Sequence, residues 1–247
     1  MEVLQLTARE LLFAASELGA ETFFGLPDPF FGMDENDIAQ EIVELQLTLE
    51  KKGYASLGFD RTFKLLPKTT KLIEVCANCE RYIVADFVAP DGEYKNLLFY
   101  FLGDKAVSVL PSGSELMLKT IEPPDAITQI WAQIFWPQGE KTGVSFKLSF
   151  ESIKRAQQGA DDILKKEGCP QPLADILISG FKQTTHFYSI SMTDLAAGRF
   201  ENITCICTEH DGVVLIPLDD IENNWEVRAM DSTALCKLLE EVLGNEM

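Results

Sequence analysis

Basic residues are scarce in this chain. Against 39 Asp and Glu there are 21 Lys and Arg, which leaves a formal net charge of -18. A charge of this sign repels phosphate backbones and anionic lipid head groups, so we expect neither a nucleic-acid partner nor a membrane-surface partner. The acidic residues are spread through both halves of the sequence, which is typical of a well-solvated surface, and a basic protein partner is the alternative use for them.

Long hydrophobic runs and abundant cysteines are also lacking. No stretch approaches the roughly 20 apolar residues of a membrane-spanning helix, and the first residues lack the basic segment and cleavage site of a signal peptide. We therefore predict a cytoplasmic protein without membrane insertion. Six cysteines are few for a disulfide scaffold of 247 residues, and a cytoplasmic location keeps them reduced.

Catalytic and metal-binding signatures are missing from the sequence. It has no GxSxG, Walker A, dinucleotide-binding glycine or HExxH motif. The CxxC pair Cys76 and Cys79 has no second pair and lies at the end of a helical run, so we interpret it as buried packing. His186 and His210 are few for acid–base work and are interpreted as turn or strand-end residues. We predict a non-enzymatic protein with no catalytic residue, no cofactor and no metal.

The first helix and the loop after it are clearly marked. Thr7 and Glu10 form a capping box, apolar residues follow at helical spacing, and Gly19 ends the helix. Residues 23–31 then place four phenylalanines among Pro and Gly, which excludes a helix or a central strand. This loop either folds over its own core or presents a partner-binding patch.

Two further helical regions and four strands follow. We predict a helix from Asp34 or Asp37 to about Lys51, and a helical region from about Asp60 to Cys79 that restarts at Pro67. Four short runs rich in β-branched and aromatic residues then predict an antiparallel meander. These runs are residues 82–88, 97–102, 106–110 and 116–121. A helix over 127–135 closes this half, and residues 136–143 are the best candidate linker.

The second half repeats this order of elements. We predict helices over 149–166 and 173–181, then strands, then a closing helix. Residues 92–111 align without a gap on residues 198–217, with four identities in twenty positions, where about one is expected by chance. The sequence therefore predicts an α+β fold of two halves, 1–137 and 138–247, related by a pseudo-twofold axis and packed as one compact unit. Each half has helices, an antiparallel β-meander and a closing helix.

The layout resembles the EspG family of ESX (type VII) secretion chaperones. The stretch from Leu18-Gly19 to Leu26-Pro27, the helices to about residue 79, the meander and the second copy all fit that family. The late stretch carries most of the resemblance: Ala197-Gly198-Arg199-Phe200, then Asp211-Gly212-Val213, Pro217 and a last amphipathic helix.

The resemblance implies a cytoplasmic, non-enzymatic chaperone that binds a helical secreted substrate and keeps it soluble. The chain is more acidic and richer in Phe and Lys than the mycobacterial pattern, so WXG-like and LXG-like substrates are as plausible as PE/PPE-like ones. A second function class is an acidic immunity protein that blocks a basic toxin secreted by the same system. The sequence does not indicate an oligomeric state.

The candidate partner-binding residues lie at two predicted hairpin turns and beside the candidate linker. They are Asp91, Glu93 and Tyr94, then Arg199, Phe200 and Glu201, and finally Phe135 and Trp136. Each has a structural alternative: Tyr94 and Phe200 can close the two meanders, and Trp136 can cap the core where the chain crosses between halves.

Overall fold

The computed structural model describes residues 3–137, 143–183, 185–218 and 223–244. The helices in these ranges are α1 (Ala8–Ser16), α2 (Glu35–Lys51), α3 (Pro67–Ala77), α4 (Asp125–Trp131), α5 (Phe150–Gln157), α6 (Asp162–Lys166), α7 (Gln171–Gln183) and α8 (Ser232–Gly244). The first six strands are β1 (Val3–Leu6), β2 (Ala55–Leu57), β3 (Phe63–Leu65), β4 (Arg81–Val88), β5 (Tyr94–Leu102) and β6 (Lys105–Ser112). The other strands are β7 (Glu115–Ile121), β8 (Ser145–Ser149), β9 (His186–Asp194), β10 (Arg199–Cys207), β11 (Gly212–Pro217) and β12 (Asn224–Ala229).

Ten of the strands form one sheet. Its neighbours run in the order β1-β7-β6-β5-β4-β9-β10-β11-β12-β8, and β2 and β3 form a separate pair. The first strand, β1, pairs antiparallel with β7, and β8 pairs antiparallel with β12. In both halves of the sequence, therefore, an early strand returns beside the last strand of the meander that follows it.

Two hairpins of this sheet share one register at a spacing of 106 residues. In the β5–β6 hairpin Leu98 pairs with Val109, and in the β10–β11 hairpin Thr204 pairs with Leu215. The next three pairs of each hairpin keep the same spacing. This agreement follows the sequence alignment residue by residue. The pseudo-twofold relation of the halves and their boundary after residue 137 stay predictions, and residues 138–142 of the candidate linker lie outside the described residues.

The chain divides into two compact units whose segments alternate along the sequence. Unit 1 comprises the described residues of Met1–Ile83, Leu97–Ala126 and Thr193–Arg199, and unit 2 those of Val84–Asn96, Ile127–Met192 and Phe200–Met247. In unit 1, α1 contacts α2, α3 and β1, and α3 lies against β6 and β7. In unit 2, α7 packs on β11 and β12, and α5 contacts α6, α7 and β8.

The cores of both units follow from alternation and helical spacing. On β1 the side chains alternate exposed and buried, with Leu4 and Leu6 inside, as expected for a strand with one solvated face. The unit 2 core joins apolar residues of α5, α6 and α7 to those of β8 and β10–β12. It includes Leu148, Ile153, Leu164, Leu173, Leu177, Ile206, Val213, Leu215 and Val227.

The phenylalanine-rich loop packs mainly over unit 1. Phe23 makes an edge contact with Tyr100 at 5.3 Å, and Phe24 stacks on Tyr82 at 4.9 Å between ring centroids. The Tyr100 hydroxyl donates to the Phe24 carbonyl over 2.6 Å. These contacts support the interpretation that the loop covers its own core, whereas Phe31 is 89% exposed.

One predicted helical region is partly wrong. Residues 60–66, expected to be helical, contain β3, which pairs with β2, and the helix begins only at Pro67. Proline favours the first position of a helix, and it pushes the residue before it to an extended conformation. Leu66 has that conformation, with φ -73° and ψ 152°. The helix α3 therefore begins at Pro67, where the sequence predicts only a restart of a longer helical region.

Two other predicted helices are shorter than expected. The helix over 149–166 is divided into α5 and α6, and Gly159 between them has a φ of +95°. A residue with positive φ ends a helix, and glycine accepts it without strain. The closing helix over 127–135 ends at Trp131, so Ile134 and Phe135 lie beyond it.

Candidate functional site

The first predicted binding turn joins β4 to β5 in unit 2. The amide of Ala89 donates to the Glu93 carbonyl, and the amide of Gly92 donates to the Ala89 carbonyl, both over 2.9 Å. The Asp91 carboxylate accepts from the Glu93 amide at 2.9 Å, and Gly92 has a φ of +81°, which suits glycine because it has no Cβ. Asp91 thus stabilises the turn itself, and Glu93 and Tyr94 beside it are exposed.

The ring of Tyr94 is fixed by its hydroxyl group. The ring is 61% exposed, and its hydroxyl donates to the Asp86 carboxylate over 2.5 Å. The same carboxylate oxygen accepts from the Asn96 side-chain amide at 2.8 Å. Burial of the hydroxyl, together with this carboxylate, raises the pKa of Tyr94 to about 12. The site therefore presents a neutral aromatic ring in one orientation.

An aromatic cluster, formed by Phe87, Phe135, His186 and Tyr188, lies in the same unit. The Tyr188 hydroxyl receives the Phe135 amide proton at 2.9 Å and donates to the Phe135 carbonyl at 3.1 Å. Phe135 stacks on His186 with 4.9 Å between ring centroids, and Phe87 meets the edge of Tyr188 at 5.5 Å. Tyr188 is buried while Phe135 is 47% exposed. The backbone at residue 135 is therefore anchored, and its ring is presented to solvent.

Burial shifts the pKa of both polar members of the aromatic cluster. It lowers the pKa of His186 and raises the pKa of Tyr188, because a low-dielectric surrounding disfavours the charged form of each group. Both rings are thus held neutral near pH 7. Their arrangement is suited to packing against an apolar side chain rather than to proton transfer.

A small pocket connects the first turn to the aromatic cluster. Its volume is about 120 Å³, and it is lined by Phe87, Val88, Ala89, Glu93, Lys95, Gln133, His186 and Tyr188. Glu93 and Lys95 form an ion pair of 3.6 Å on exposed side chains. The volume is below the roughly 300–1,000 Å³ of small-molecule sites. It is suited to one inserted side chain, with a charged pair beside it.

Trp136 lies beneath the surface rather than on it. It is 6% exposed, and its indole nitrogen donates to the Met230 carbonyl over 2.9 Å. A Cβ added to Gly212 would lie 2.7 Å from the Trp136 ring, so the indole lies directly on the backbone of β11. This geometry favours the core-capping alternative for Trp136.

The second predicted turn lies between β9 and β10. Its Ala197 amide donates to the Asp194 carboxylate at 2.7 Å, and Gly198 has a φ of +64°. Phe200 is 64% exposed, and Arg199 and Glu201 flank it on β10. The two turns are thus built alike, each with an exposed ring two residues after its glycine.

The first turn and Phe135 meet at the aromatic cluster of unit 2. Glu93 lines the small pocket together with His186 and Tyr188, and both of these residues contact Phe135. Tyr94 is the next residue after Glu93. In the second turn, which belongs to unit 1, the amide of Leu195 donates to the carbonyl of Glu80.

Sequence reasoning missed three residues of this site. Asp86 orients Tyr94, and His186 and Tyr188 support Phe135. The interpretation of His186 as a strand-end residue gives its position but not its stacking role. His186 and Tyr188 are two residues apart on one strand, so they share one face of the sheet. That spacing was the available signal.

Five of the six cysteines are buried, and Cys236 is partly exposed. Burial raises the pKa of Cys76 well above its usual value and that of Cys79 to about 11. It raises the pKa of Cys205 well above its usual value and that of Cys207 to about 12. Since the thiolate is the nucleophile and the metal ligand, these groups are inert at neutral pH.

The described part of the chain has neither a metal-binding cluster nor a membrane-spanning helix. Within residues 3–137, 143–183, 185–218 and 223–244, no group of three or more His, Cys, Asp or Glu side chains is arranged to hold a metal ion. Over the same ranges, none of the helices has the length and apolar content needed to cross a bilayer.

The fold is similar to that of a known secretion chaperone. No protein-family model matches the sequence, and no curated protein matches it either. The structure resembles the type VII secretion system chaperone EspG5 of Mycobacterium tuberculosis, solved in complex with the PE25-PPE41 dimer. The TM-score is 0.68 at 9% sequence identity, over 98% of this chain and 95% of that chain. A MaoC-like dehydratase from Phytophthora capsici aligns at 10% identity over 94% of this chain and 95% of its own, but with a TM-score of 0.19 it carries no weight.

The comparison confirms the predicted α+β, EspG-like fold. The likeness extends over nearly the whole chain, and the neighbour is described as a secretion chaperone. The TM-score of 0.68 shows a common fold, and at 9% identity the likeness concerns the fold alone, because function resides in the particular side chains of each protein.

Proposed function

We propose that this protein is a non-enzymatic chaperone or adaptor of type VII secretion that binds a helical secreted substrate in the cytoplasm. The observation that carries the proposal is the EspG-like fold over 98% of the chain. The net charge of -18 also suits a carrier that must keep an aggregation-prone client in solution. The clients we expect are helical proteins of the WXG, LXG or PE/PPE type.

We assign substrate binding to the exposed aromatic side chains of the site described above. The ring of Tyr94 is held by the hydrogen bond to Asp86, and the ring of Phe135 stacks on His186, so little side-chain freedom is lost when a partner packs on them. Aromatic rings fixed in this way are typical of interface hot spots. The small pocket between the turn and the aromatic cluster would receive one apolar side chain from a helical tip.

The test is co-purification with and without these two rings. Tagged protein is recovered from a native lysate at low and high salt, and the bound proteins are identified by mass spectrometry. The proposal expects that a helical secreted protein is recovered and stays bound at high salt. The amount recovered should be about tenfold lower with the double variant Tyr94→Ser and Phe135→Ser. Phe59→Ser, at an exposed ring of unit 1, is the matched control and should retain the client. Equal loss in both variants would refute the site.

The second candidate function is an immunity protein that blocks a basic toxin. The net charge of -18 favours it, because charge complementarity is the usual basis of such inhibition. The same experiment separates the two functions. A basic catalytic domain that is bound at low salt and released at high salt would replace the chaperone proposal.

A further inference from the structure

Unit 1 contains a larger groove that shares no residue with the site described above. Its volume is about 460 Å³, and it lies between α1, the loop after it and the first turns of α2. Its apolar walls include Leu12, Phe23, Leu26, Phe30, Ile38 and Ile42. Phe13 and Ala15 of α1 form part of its buried floor.

The stripe on α2 explains why the groove is apolar. Ile38, Ile42, Leu45 and Leu49 follow one another at helical spacing and form one apolar stripe on this helix. Leu45 and Leu49 are buried, whereas Ile38 and Ile42 are only partly covered and line the groove. The apolar stripe of α2 therefore runs along the whole helix. Its second half is buried, whereas its first half is only partly covered by neighbouring elements.

All charged residues in the sequence segment that forms the groove are acidic. Residues 10–50 contain no Lys, Arg or His. Their acidic residues are Glu10, Glu17, Glu21, Asp28, Asp34, Glu35, Asp37, Glu41, Glu44 and Glu50. All residues that line the groove lie within this stretch, and Glu21 and Asp28 are among them. Arg9, just before the stretch, forms a 3.0 Å ion pair with Glu41.

We propose that this groove binds an amphipathic helix that inserts apolar side chains and carries Lys or Arg at its ends. Helix-in-groove recognition uses apolar anchors about one turn apart, and the spacing of Ile38 and Ile42 on α2 matches that period. The acidic border attracts a basic segment and repels an acidic one. This interaction goes beyond the proposed function, because it uses a different surface and a partner defined by its charge.

Two synthetic helical peptides test the proposal on the full chain. Both have leucines one helical turn apart, and they differ only in carrying lysines or glutamates at their ends. Fluorescence anisotropy should show binding of the lysine peptide that is about tenfold or more tighter than binding of the glutamate peptide. At about 0.5 M salt, where charges are strongly screened, binding of the lysine peptide should weaken but persist, since its apolar contacts remain.

Two variants separate the groove from the general negative charge of the protein. Ile42→Asp places a charge in the groove, whereas Leu47→Asp places the same charge on an exposed position of the same helix. Non-specific attraction would make both variants bind the lysine peptide slightly more tightly. The groove proposal expects about tenfold weaker binding for Ile42→Asp and less than about twofold change for Leu47→Asp. Circular dichroism melts of both variants verify that they are folded.

Three results would overturn the proposal. They are equal binding of the two peptides, complete loss of binding at high salt, and an unchanged affinity in Ile42→Asp. A further result would assign the groove to a second copy of this chain: a dimer in multi-angle light scattering that Ile42→Asp dissociates and Leu47→Asp does not.

Discussion

At the scale of single residues, Tyr94 and Phe200 occupy equivalent turn positions but differ in how their rings are held. Both rings are exposed, and they are 106 residues apart, the spacing that relates the two hairpins. Tyr94 has a hydroxyl group that Asp86 fixes, whereas Phe200 has no polar group to anchor. A fixed ring loses less entropy on binding. We therefore regard Tyr94 as the better prepared contact of the two.

The hydrogen bond between Tyr94 and Asp86 can be detected by titration. Burial of the hydroxyl and the nearby carboxylate raise the pKa of Tyr94 to about 12, against an ordinary value of about 10. The difference in absorbance at alkaline pH between the wild type and Tyr94→Phe should therefore show one phenol that ionises near pH 12. Asp86→Asn should move that ionisation to lower pH. If the difference between the wild type and Tyr94→Phe had its midpoint near pH 10, it would contradict the hydrogen bond between Tyr94 and Asp86.

His186 predicts a pH dependence of stability on the acidic side. Burial lowers its pKa in the folded protein, so below the ordinary pKa of about 6.5 the unfolded chain binds a proton more readily. Its stabilising contribution is complete above that pH and is lost as the pH falls through the folded-state pKa. Between the folded-state pKa and about pH 6.5, the unfolding free energy should depend less steeply on pH in His186→Gln than in the wild type. The difference in slope should be at most about 1.4 kcal/mol per pH unit. Urea unfolding from pH 7.5 to 5 measures it, and identical slopes would contradict the assignment.

At the scale of elements, Lys52 connects the end of α2 to the start of α1 and to β7. Its ammonium group lies 2.8 Å from Glu10 and 2.6 Å from Glu115. Glu10 is buried and also forms the capping box, since its carboxylate accepts from the Thr7 amide at 2.7 Å. Removing the cation would leave two carboxylates close together, one of them buried.

We expect Lys52→Met to destabilise the protein by about 1–3 kcal/mol, less than for a fully buried pair because the side chain is partly exposed. Lys51→Met, one residue earlier on the helix end, is the control and should change stability by less than about 0.5 kcal/mol. Chemical denaturation measures both variants. Equal effects would show that Lys52 acts only through net charge.

The ion pairs of Lys52 with Glu10 and Glu115 also make the stability of the protein depend on pH in the alkaline range. Burial lowers the pKa of Lys52, but the hydrogen bonds and charges of Glu10 and Glu115 outweigh it, so the pKa is raised. The contribution to stability is therefore complete below about pH 10.5 and is lost as the pH rises through the folded-state pKa. The wild type should lose more stability than Lys52→Met over that range, and thermal melts at pH 9 to 11 measure the difference.

The contact between Gly212 and Trp136 provides a test at the joint between β11 and the segment after α4. An added methyl group would lie 2.7 Å from the indole, so Gly212→Ala should cost about 1–3 kcal/mol. Trp136→Leu in the same chain should recover part of that cost, because the smaller side chain makes room for the methyl group. A double-mutant cycle by chemical denaturation measures the coupling. Strictly additive effects would contradict the close contact.

The elements that the sequence reveals are those with strong local signals. The capping box at Thr7, the cap at Asp34 and the four strands of the first meander all form as predicted. The short edge strands β1 and β8 were missed, because four or five residues are too few to show a period. The break at Gly159 was missed because apolar residues continue at helical spacing on both sides of the glycine.

At the scale of the whole molecule, the α+β, EspG-like fold could be predicted because the internal repeat and the turn residues can be recognised from the sequence alone. The candidate site could be predicted only in part. Glu93 and Tyr94 were predicted at a hairpin turn, and Phe135 at the end of a helix beside the candidate linker. Their support by Asp86, His186 and Tyr188 depends on pairing between strands, which the sequence does not show. For Trp136 the sequence left a binding role and a core-capping role open, and its burial against the distant Gly212 favours the second.

The two short strands at the margins of the ten-stranded sheet, β1 and β8, have a consequence for storage and expression. An open sheet margin offers unpaired amides and carbonyls on which another chain can add, which is the first step towards fibrils. Here the margins are only four and five residues long, and β8 carries Lys147. Short length and a lysine are two means by which natural sheets resist such growth. A broad β-sheet can therefore remain monodisperse at high concentration, and Lys147→Val is the substitution that would expose it to fibril formation.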